Sequence, residues 1–316
     1  MTVSICVVGS LNMDMVCQVE RLPRAGETLL ARSFAAHPGG KGANQAVAAA
    51  RAAAGPGSVS LIGAVGDDDH GAQLLAALEG EGVDVSGVAV RRAQASGVAQ
   101  ILVDARGENH IVVASGANAT LAAADVERSA AAIRSSRLVL AQLETPLAAI
   151  EAAQAVARRH GARFVLNAAP ARALPASLLA AIDLLVVNEG EAQVLCGAEA
   201  GTDPERLARE LAALGPRAVV LTLGARGALA VEDGRTLACP AFEVRAVDTT
   251  AAGDAFVGAL AAAIVEDEPL ERALRLACAA GGLAATRAGA IPSLPRREEL
   301  RALALRAEAA GHGVTT

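Results

Sequence analysis

Short apolar runs of strand length alternate with Ala- and Leu-rich stretches along most of this sequence. The runs occupy residues 4–8, 59–65, 138–143, 163–166, 184–187 and 218–223. Uninterrupted apolar strands separated by helical segments are typical of a parallel sheet that is covered by helices on both faces. The alternation therefore predicts an α/β fold.

Two segments depart from this alternation. Residues 15–36 and 98–114 alternate apolar and polar side chains around turn residues, namely Pro23, Gly26, Arg106 and Gly107. We expect them to form a small antiparallel sheet inserted into a single domain of residues 1–316, with approximate bounds 15–37 and 97–115. The sheet is expected to act as a lid over the carboxyl edge of the main sheet, where open α/β sheets bind ligands. On the strand pattern alone, a surface hairpin fits equally well.

Farther along, residues 229–239 predict a hairpin that turns at Asp233 and Gly234, and the chain from Ala252 onward is expected to be nearly all helical.

Composition argues against several classes of protein. The net charge is −6 and the basic residues are scattered, which is not typical of a nucleic-acid-binding protein. The longest uncharged apolar runs, such as 255–265, are too short to cross a bilayer. Five cysteines, an odd number without a CxxC pair, argue against a disulfide framework and a structural zinc site. The N-terminus has no basic segment and its apolar stretch is only strand-length, so we expect a cytoplasmic protein.

Some polar residue types are rare enough to suggest a function. Lys41 is the only lysine among 28 basic residues, Tyr and Trp are absent, and the asparagines are Asn12, Asn44, Asn109, Asn118, Asn167 and Asn188. Because an ammonium and a guanidinium are not interchangeable in a confined site, the single lysine is a candidate functional residue.

The run DTTAAGD at residues 248–254 leads directly into an apolar helix. Amides at a helix start bind anions, so a phosphate is expected against Ala251, Ala252 and Gly253. Asp254, in the first turn, is placed to accept a proton from an attacking hydroxyl. The alternative is that Asp254 only stabilises the start of the helix.

The run GGKGANQ at residues 39–45 also opens a helix. It matches neither the Walker motif nor the GxGxxG fingerprint, because Lys41 precedes Gly42 and position 45 is Gln. Lys41 and Asn44 favour contacts with polyol and phosphate groups over a simple capping turn. Near the first strand, Asn12 and Asp14 lie two residues apart and so on one side of an extended chain, where they could bind neighbouring hydroxyls.

Two further segments follow predicted strands. Asn188 and Glu191 begin a helix, and they could hold Mg²⁺ through water or simply cap that helix. Residues 222–227 (TLGARG) lie between two strands and could line a nucleotide pocket or form a tight turn.

Together and in this order, these motifs, with Glu144 after Gln142 and Leu143, resemble the ribokinase family of the PfkB carbohydrate kinases over essentially the whole chain. Ala251 and the run TRAGAIPSLP at 286–295 are similar to the ribokinase branch, whereas Cys278 and Ala168 depart from residues usual in the family. The resemblance implies a three-layer αβα sandwich with a small β-sheet lid, and transfer of the γ-phosphate of ATP to the 5-hydroxyl of ribose. An exposed edge strand of the lid would favour pairing, so we expect a homodimer formed through the lid.

The resemblance also assigns residues to ligands. The sugar is expected to contact Asn12, Asp14, Gly40, Lys41, Gly42, Ala43, Asn44 and Glu144, with Asp254 as the base beside Ala251, Ala252 and Gly253. ATP is expected near Asn188, Glu191, Thr222, Leu223, Gly224, Ala225, Arg226, Gly227, Gly253, Asp254 and Cys278, and Mg²⁺ accompanies it. An activating K⁺ is expected near Asp248, Thr250, Ala284, Arg287, Gly289 and Ser293, mostly through backbone carbonyls.

Other functions remain open at this point. A sister kinase acting on fructose, a nucleoside or a keto-deoxy sugar acid would share the same chemistry. A sugar-binding regulatory protein would have no need for Asp254 beside the amides. An NAD-dependent oxidoreductase would need a glycine fingerprint after the first strand, which residues 9–14 do not provide.

Overall fold

The computed structural model describes residues 4–55 and 57–309. Within them lie thirteen strands: β1 (Ile5–Val8), β2 (Asn12–Gln18), β3 (Ser33–Gly39), β4 (Val59–Gly66), β5 (Val83–Arg91), β6 (Gly97–Val103), β7 (Asn109–Ala114), β8 (Leu138–Gln142), β9 (Arg163–Asn167), β10 (Leu184–Asn188), β11 (Ala218–Thr222), β12 (Ala228–Glu232) and β13 (Arg235–Cys239).

The same residues form eleven α-helices: α1 (Lys41–Ala52), α2 (Asp69–Gly80), α3 (Ala123–Arg128), α4 (Ala130–Arg134), α5 (Leu147–His160), α6 (Ala176–Leu179), α7 (Glu189–Cys196), α8 (Pro204–Ala213), α9 (Ala252–Val265), α10 (Leu270–Ala285) and α11 (Arg297–Ala309). Short 3-10 helices lie at Gly116–Thr120, Gly224–Arg226 and Ile291–Ser293.

The main sheet has nine strands in the order β13-β12-β11-β10-β9-β8-β1-β4-β5. From β11 to β5 all neighbours run parallel, and the hairpin β12–β13 adds two antiparallel strands at one edge. The predicted strands and the hairpin at Asp233 and Gly234 are confirmed. Strand β5 was not predicted, because it is a partly exposed edge strand in which Asp84 and Ser86 interrupt the apolar residues.

Helices cover both faces of this sheet. In β1, Ile5 and Val7 pack into a core with α1, α2, α9, α10 and α11, whereas Cys6 and Val8 pack into a second core with α3 to α8. Since successive strand residues point to opposite faces, a strand buried on both sides reads as one continuous apolar run. The three-layer α/β sandwich expected from the sequence is therefore confirmed.

A second sheet of four strands has the order β3-β2-β6-β7. The pairs β2–β3 and β6–β7 are antiparallel, but β2 and β6 are parallel, so the expectation of a wholly antiparallel sheet is wrong. The reason is topological: β2 and β6 follow β1 and β5, which belong to one parallel set. The small sheet also begins earlier than expected, at Asn12, so that Asn12 and Asp14 belong to it, whereas β1 already ends at Val8.

No helix in residues 4–55 or 57–309 combines the length and the apolar character needed to cross a membrane.

Candidate active site

Three cavities follow one another at the carboxyl ends of the central strands. The outer cavity, of about 320 Å³, is lined by Asn12, Val113, Ser115, Asn118, Ala119, Leu143, Glu144, Thr145, Pro146, Pro170 and Arg172. The central cavity, of about 220 Å³, is lined by Lys41, Asn167, Ala169, Val186, Val187, Asn188, Glu191, Thr222, Thr249, Ala251, Gly253, Asp254 and Val257. The apolar cavity, of about 520 Å³, shares Thr222, Thr249 and Gly253 with the central cavity.

Glu144 connects three segments of the chain between the outer and central cavities. Its Oε2 atom accepts hydrogen bonds from Ser10 Oγ at 2.6 Å and from the Lys41 amide at 3.2 Å. Ser10 follows β1, Lys41 begins α1 and Glu144 follows β8, which pairs with β1. The parallel pairing of β1 and β8 thus brings these residues, distant in sequence, to one edge of the sheet.

Asn12 and Asp14 lie on one side of β2, and both are buried. Asn12 Oδ1 accepts a hydrogen bond from Asn118 Nδ2 at 2.9 Å, which fixes the orientation of the amide. A Cβ atom at position 39 would lie 2.2 Å from Asp14 Oδ2, and one at position 40, where φ is +91°, would lie 2.7 Å from the Asn12 amide nitrogen. Only glycine at these two positions lets the start of α1 approach β2 so closely.

Several ionisable side chains in this region lie close enough to shift one another's pKa values. Burial raises the pKa of Asp14 to about 7, and the negative charges of Glu144 and Asp254 add to the rise. Burial by itself lowers the pKa of Lys41, but the attraction of Asp254, Glu144 and Glu191 outweighs it, so that the pKa is raised and the ammonium stays charged.

Asp254 is held by two amide side chains. Asn44 Nδ2 donates to its Oδ2 atom at 3.0 Å, and Gln45 Nε2 donates to its Oδ1 atom at 2.8 Å. Gln45 Nε2 also donates to Asn167 Oδ1 at 2.9 Å, and Gln45 Oε1 accepts from Gln142 Nε2 at 2.7 Å. This buried network fixes both oxygens of the carboxylate at the wall of the central cavity.

The start of α9 presents free amides to the same cavity. Ala251, the residue before the helix, has φ +58°, a left-handed conformation that is uncommon for residues other than glycine. The Ala252 amide donates to the Thr249 carbonyl at 3.2 Å, whereas the amides of Ala251 and Gly253 donate to no acceptor among the described residues. Of the three amides expected to bind an anion, those of Ala251 and Gly253 are therefore free and that of Ala252 has a backbone partner, and the space beside Gly253 is open.

Asn188 and Glu191 cap α7 reciprocally. Asn188 Oδ1 accepts from the Glu191 amide at 2.8 Å, and Glu191 Oε2 accepts from the Asn188 amide at 2.8 Å. Both residues also line the central cavity. Burial raises the pKa of Glu191, since the Asn188 amide and Lys41 only partly offset it and Asp254 adds to the rise.

The apolar cavity lies between the segment after β13 and the helices α9 and α10. It is lined by Thr222, Gly224, Ala225, Gly227, Ala241, Phe242, Glu243, Val244, Ala246, Thr249, Ala252, Gly253, Phe256, Cys278, Gly281, Gly282 and Ala285. Two residues that were expected near ATP have side chains that make contacts away from this cavity. Leu223 packs against the second core, and the exposed Arg226 side chain forms an ion pair with Glu189 at 2.5 Å.

Asp248 ties the loop before α9 to the segment after α10. Its Oδ1 atom accepts from the amide and the hydroxyl of Thr250, and its Oδ2 atom accepts from the Gly289 amide at 2.9 Å. These bonds outweigh the effect of burial and lower the pKa of Asp248. The Ala284 carbonyl accepts from the Arg287 amide, the Arg287 guanidinium pairs with Glu299, and Ser293 is fully buried.

The structure thus brings most of the predicted residues together, while Ala43 and Ala284 lie in the hydrophobic core. The sequence motifs assign no role to Ser10, Gln45, Asn118, Gln142 and Asn167. The rarity of asparagine could have identified Asn118 and Asn167. Every asparagine except Asn109, which is exposed on β7, lines a cavity or donates a hydrogen bond to Asp254.

The sequence and the fold of this chain are similar to those of known proteins. Residues 3–297 match the model of the pfkB family carbohydrate kinases. The chain is 39% identical over 298 residues to a ribokinase of Haemophilus influenzae, covering 94% of this chain and 96% of that protein, and 38% identical over 302 residues to a ribokinase of Schizosaccharomyces pombe, covering 93% and 95%. Its fold is similar to that of an Arabidopsis thaliana ribokinase solved with ribose and ATP, with a TM-score of 0.89 and 32% identity over 96% of this chain and 99% of that one.

Proposed function

Because the chain belongs to the pfkB family of carbohydrate kinases, we propose that it is a ribokinase, which transfers the γ-phosphate of ATP to the 5-hydroxyl of D-ribose. The observation that carries the proposal is the placement of Asp254. Its carboxylate is fixed by Asn44 and Gln45 at the wall of the central cavity, which the residues of the two free amides at the start of α9 also line.

Ribose occupies the side of Asn12, Asp14 and Glu144. Carboxylate and amide oxygens there accept hydrogen bonds from sugar hydroxyls, and Asn118 keeps the Asn12 amide in one orientation. This arrangement directs the 5-hydroxyl towards Asp254, which accepts its proton as the oxygen attacks the phosphorus atom.

ATP spans the other two cavities. The adenine fits the apolar cavity between Phe242 and α10, and the terminal phosphate reaches the central cavity. There the amides of Ala251 and Gly253 donate to the phosphoryl oxygens, and Lys41 adds positive charge as negative charge grows on them. Because Cys278 lines the cavity proposed for adenine, its side chain influences which nucleotide the protein prefers.

Two cations complete the proposal. Glu191 and Asn188 fit Mg²⁺ held through water, because the half-buried Glu191 and its neighbour Asn188 both line the central cavity where the phosphates are proposed to lie. Asp248 with the backbone carbonyls near Gly289 fits K⁺, because Asp248 stays ionised and the Arg287 side chain points to Glu299. When bound, these cations supply positive charge to the phosphates and rigidity to the loop at 248–253.

We also propose a cytoplasmic homodimer formed through the small sheet, which acts as a lid. Ile111, Val112 and Val113 are exposed on β7, an edge strand, and Phe34 is exposed on β3. An apolar edge strand favours pairing with a second copy. The cysteines in the described part of the chain are free thiols, which agrees with a reducing compartment.

The test is an assay of ADP release with pentoses, 2-deoxyribose, hexoses, nucleosides and sugar acids. We expect ribose to give the highest kcat/KM, and Asp254→Asn to lower kcat by roughly 10²- to 10⁴-fold with little change in ribose affinity. Asp69→Asn, at an exposed position in the first turn of α2, is the matched control and should keep full activity. A higher kcat/KM for another sugar, or near-normal turnover by Asp254→Asn, would contradict the proposal.

A further inference from the structure

Two polar side chains at the wall of the outer cavity lack hydrogen-bond partners. Thr145 is almost fully buried, and its Oγ1 atom contacts neither a donor nor an acceptor among the described residues. Arg172 is half-buried, and its Nε and Nη2 atoms are shielded from solvent and unpaired. Both residues line the outer cavity. Because burying a polar atom without a partner is unfavourable, two such residues at one cavity indicate a ligand that supplies the partners.

Neighbouring strands of the main sheet carry these two residues. Thr145 follows β8 and Arg172 follows β9, and the two strands pair in parallel. The loops after them are joined as well, since the Leu143 amide donates a hydrogen bond to the Ala169 carbonyl at 3.0 Å. The unpaired groups are therefore held at the carboxyl edge of the sheet, where Glu144 also lies.

Glu144 brings a negative charge to the same cavity without pairing with Arg172. Its Oε2 atom accepts hydrogen bonds from Ser10 Oγ and the Lys41 amide, and its Oε1 atom accepts none from the described residues. Within that part of the chain no ion pair joins Glu144 to the Arg172 guanidinium. A ligand hydroxyl satisfies both side chains, because it donates to a carboxylate and accepts from a guanidinium. A ligand carboxylate or phosphate would pair with Arg172 but be repelled by Glu144.

The identity of that hydroxyl follows from the proposed orientation of ribose. The 5-hydroxyl is at Asp254, which lines the central cavity. The neighbouring hydroxyls at C2 and C3 meet Asn12 and Asp14, which lie on one side of β2. In the furanose ring, C1 lies across the ring oxygen from C4, which carries C5. The hydroxyl at C1 is therefore the one that remains for the outer cavity.

We propose that Arg172 and Thr145 are specificity-determining residues that bind the hydroxyl at C1 of the sugar opposite Glu144, so that the protein selects sugars with a free anomeric hydroxyl. The inference rests on the proposed function, because it takes the orientation of ribose from it. A ribose derivative that lacks this hydroxyl leaves the guanidinium and the Thr145 hydroxyl unpaired, and sites built to hydrogen-bond a hydroxyl reject such analogues. Nucleosides are one such class, since a base nitrogen replaces the oxygen at C1.

Calorimetry on the full-length protein compares two sugars that differ at C1 alone. D-Ribose carries the anomeric hydroxyl, whereas 1,4-anhydro-D-ribitol has the same furanose ring and 5-hydroxyl with hydrogen at that position. We expect the parent to prefer ribose, because the anhydro sugar lacks the hydrogen bond to a charged group. Since free ribose equilibrates among ring forms, the decisive quantity is the change in this preference on substitution.

Arg172→Met keeps a long apolar side chain and removes every donor. It should weaken ribose binding roughly tenfold or more and leave the affinity for the anhydro sugar within a factor of about two, so that the preference is lost. Thr145→Val keeps the shape of the side chain and should reduce the preference roughly threefold. Arg134→Met, at an exposed position at the end of α4, is the matched control and should retain the preference of the parent.

Two further measurements distinguish sugar recognition from a structural role. The hydroxyl that 2-deoxyribose lacks lies on the side of Asn12 and Asp14, so Arg172→Met should weaken ribose and 2-deoxyribose binding by the same factor. In steady-state assays Arg172→Met should raise the KM for ribose with kcat nearly unchanged, because the proposed contact is the same in the ground state and the transition state.

The outcomes separate this inference from the proposed function. If the parent phosphorylates ribose and both substitutions weaken the two sugars by equal factors, Arg172 and Thr145 only support the fold and the inference is overturned. Thr145→Val alone decides in the same way if Arg172→Met does not fold. A parent that binds neither sugar contradicts the proposed function, and the inference falls with it. A parent that phosphorylates another sugar more efficiently, but loses its preference for ribose over the anhydro sugar in Arg172→Met, contradicts only the proposed substrate.

Discussion

Replacing Asp14 by asparagine should stabilise this protein while removing sugar binding. Burial, with the charges of Glu144 and Asp254, raises the pKa of Asp14 from its ordinary value of 3.8 to about 7. At 1.36 kcal/mol for each pH unit, ionising this carboxyl in the folded protein costs up to about 4 kcal/mol. Asparagine has nearly the same shape and carries no charge, so Asp14→Asn avoids that cost.

The stability that Asp14→Asn gains over the parent depends on pH. Between pH 4 and 7 the folded state keeps a proton on Asp14 that the unfolded chain has lost, so the stability of the parent falls as pH rises through this interval. Above pH 7 the full penalty is present, and below pH 4 it is absent. Asp14→Asn should therefore match the parent near pH 4 and exceed its Tm at pH 8 by roughly 8 °C.

Thermal unfolding of the ligand-free protein from pH 4 to 8 measures this effect. Asp67→Asn, at an exposed aspartate after β4, is the matched control and should shift Tm little at any pH. In parallel, calorimetry in two buffers should show that ribose binding releases protons near pH 6.5 in the parent, because the sugar needs the ionised acceptor. Equal Tm values for Asp14→Asn and the parent at pH 8, or a gain that persists at pH 4, would refute the reasoning.

Three further predictions concern catalysis. Lys41→Arg should lower kcat/KM at least roughly tenfold despite its preserved charge, because the wider guanidinium does not fit among three carboxylates; equal efficiency in steady-state assays would show that Lys41 supplies charge alone. Gln45→Leu removes one hydrogen bond to the Asp254 carboxylate, worth about 1.5 to 3 kcal/mol, so kcat should fall while the calorimetric ribose affinity stays within a factor of a few. Exchanging sodium for potassium at constant ionic strength should raise kcat in the parent and not in Asp248→Asn, and activation that survives in the variant would remove Asp248 from the cation site.

The fold could be predicted largely because its strands are buried on both faces. Strands β1 and β4 are buried at every position and, apart from Ser60, contain only apolar residues and glycine, and that pattern admits few alternatives to a covered parallel sheet. Strand β5 escaped prediction because one side faces solvent and polar residues interrupt it. The parallel pairing of β2 with β6 escaped as well, since it depends on where each strand leaves the main sheet.

The site was predictable where local sequence determines local geometry. The start of α9 and the caps of α7 depend on neighbouring residues, so the runs at 248–254 and 188–191 could be interpreted alone. Contacts between residues that are distant in sequence could not be predicted. Gln45 meets Asp254 across 209 positions of sequence, and nothing in either motif specifies that pairing. The hydrogen bond from the Ala252 amide to the Thr249 carbonyl could not be predicted from the motif either, although it occupies one of the three amides expected to bind an anion.

The distribution of charge fits the proposal that one site takes both a neutral and an anionic ligand. Glu144, Glu191 and Asp254 act on a single lysine, and Asp14 is influenced by Glu144 and Asp254, so this region carries an excess of acidic side chains that would repel a phosphate. On the side of Asp14 and Glu144 that excess is useful, because a sugar offers hydroxyl donors and no charge. On the other side the positive end of the α9 dipole faces the cavity through two free amides, and anions are favoured there. In the proposed function each ligand is thereby directed to its own side, and Asp254, the proposed proton acceptor, lies at the wall of the central cavity.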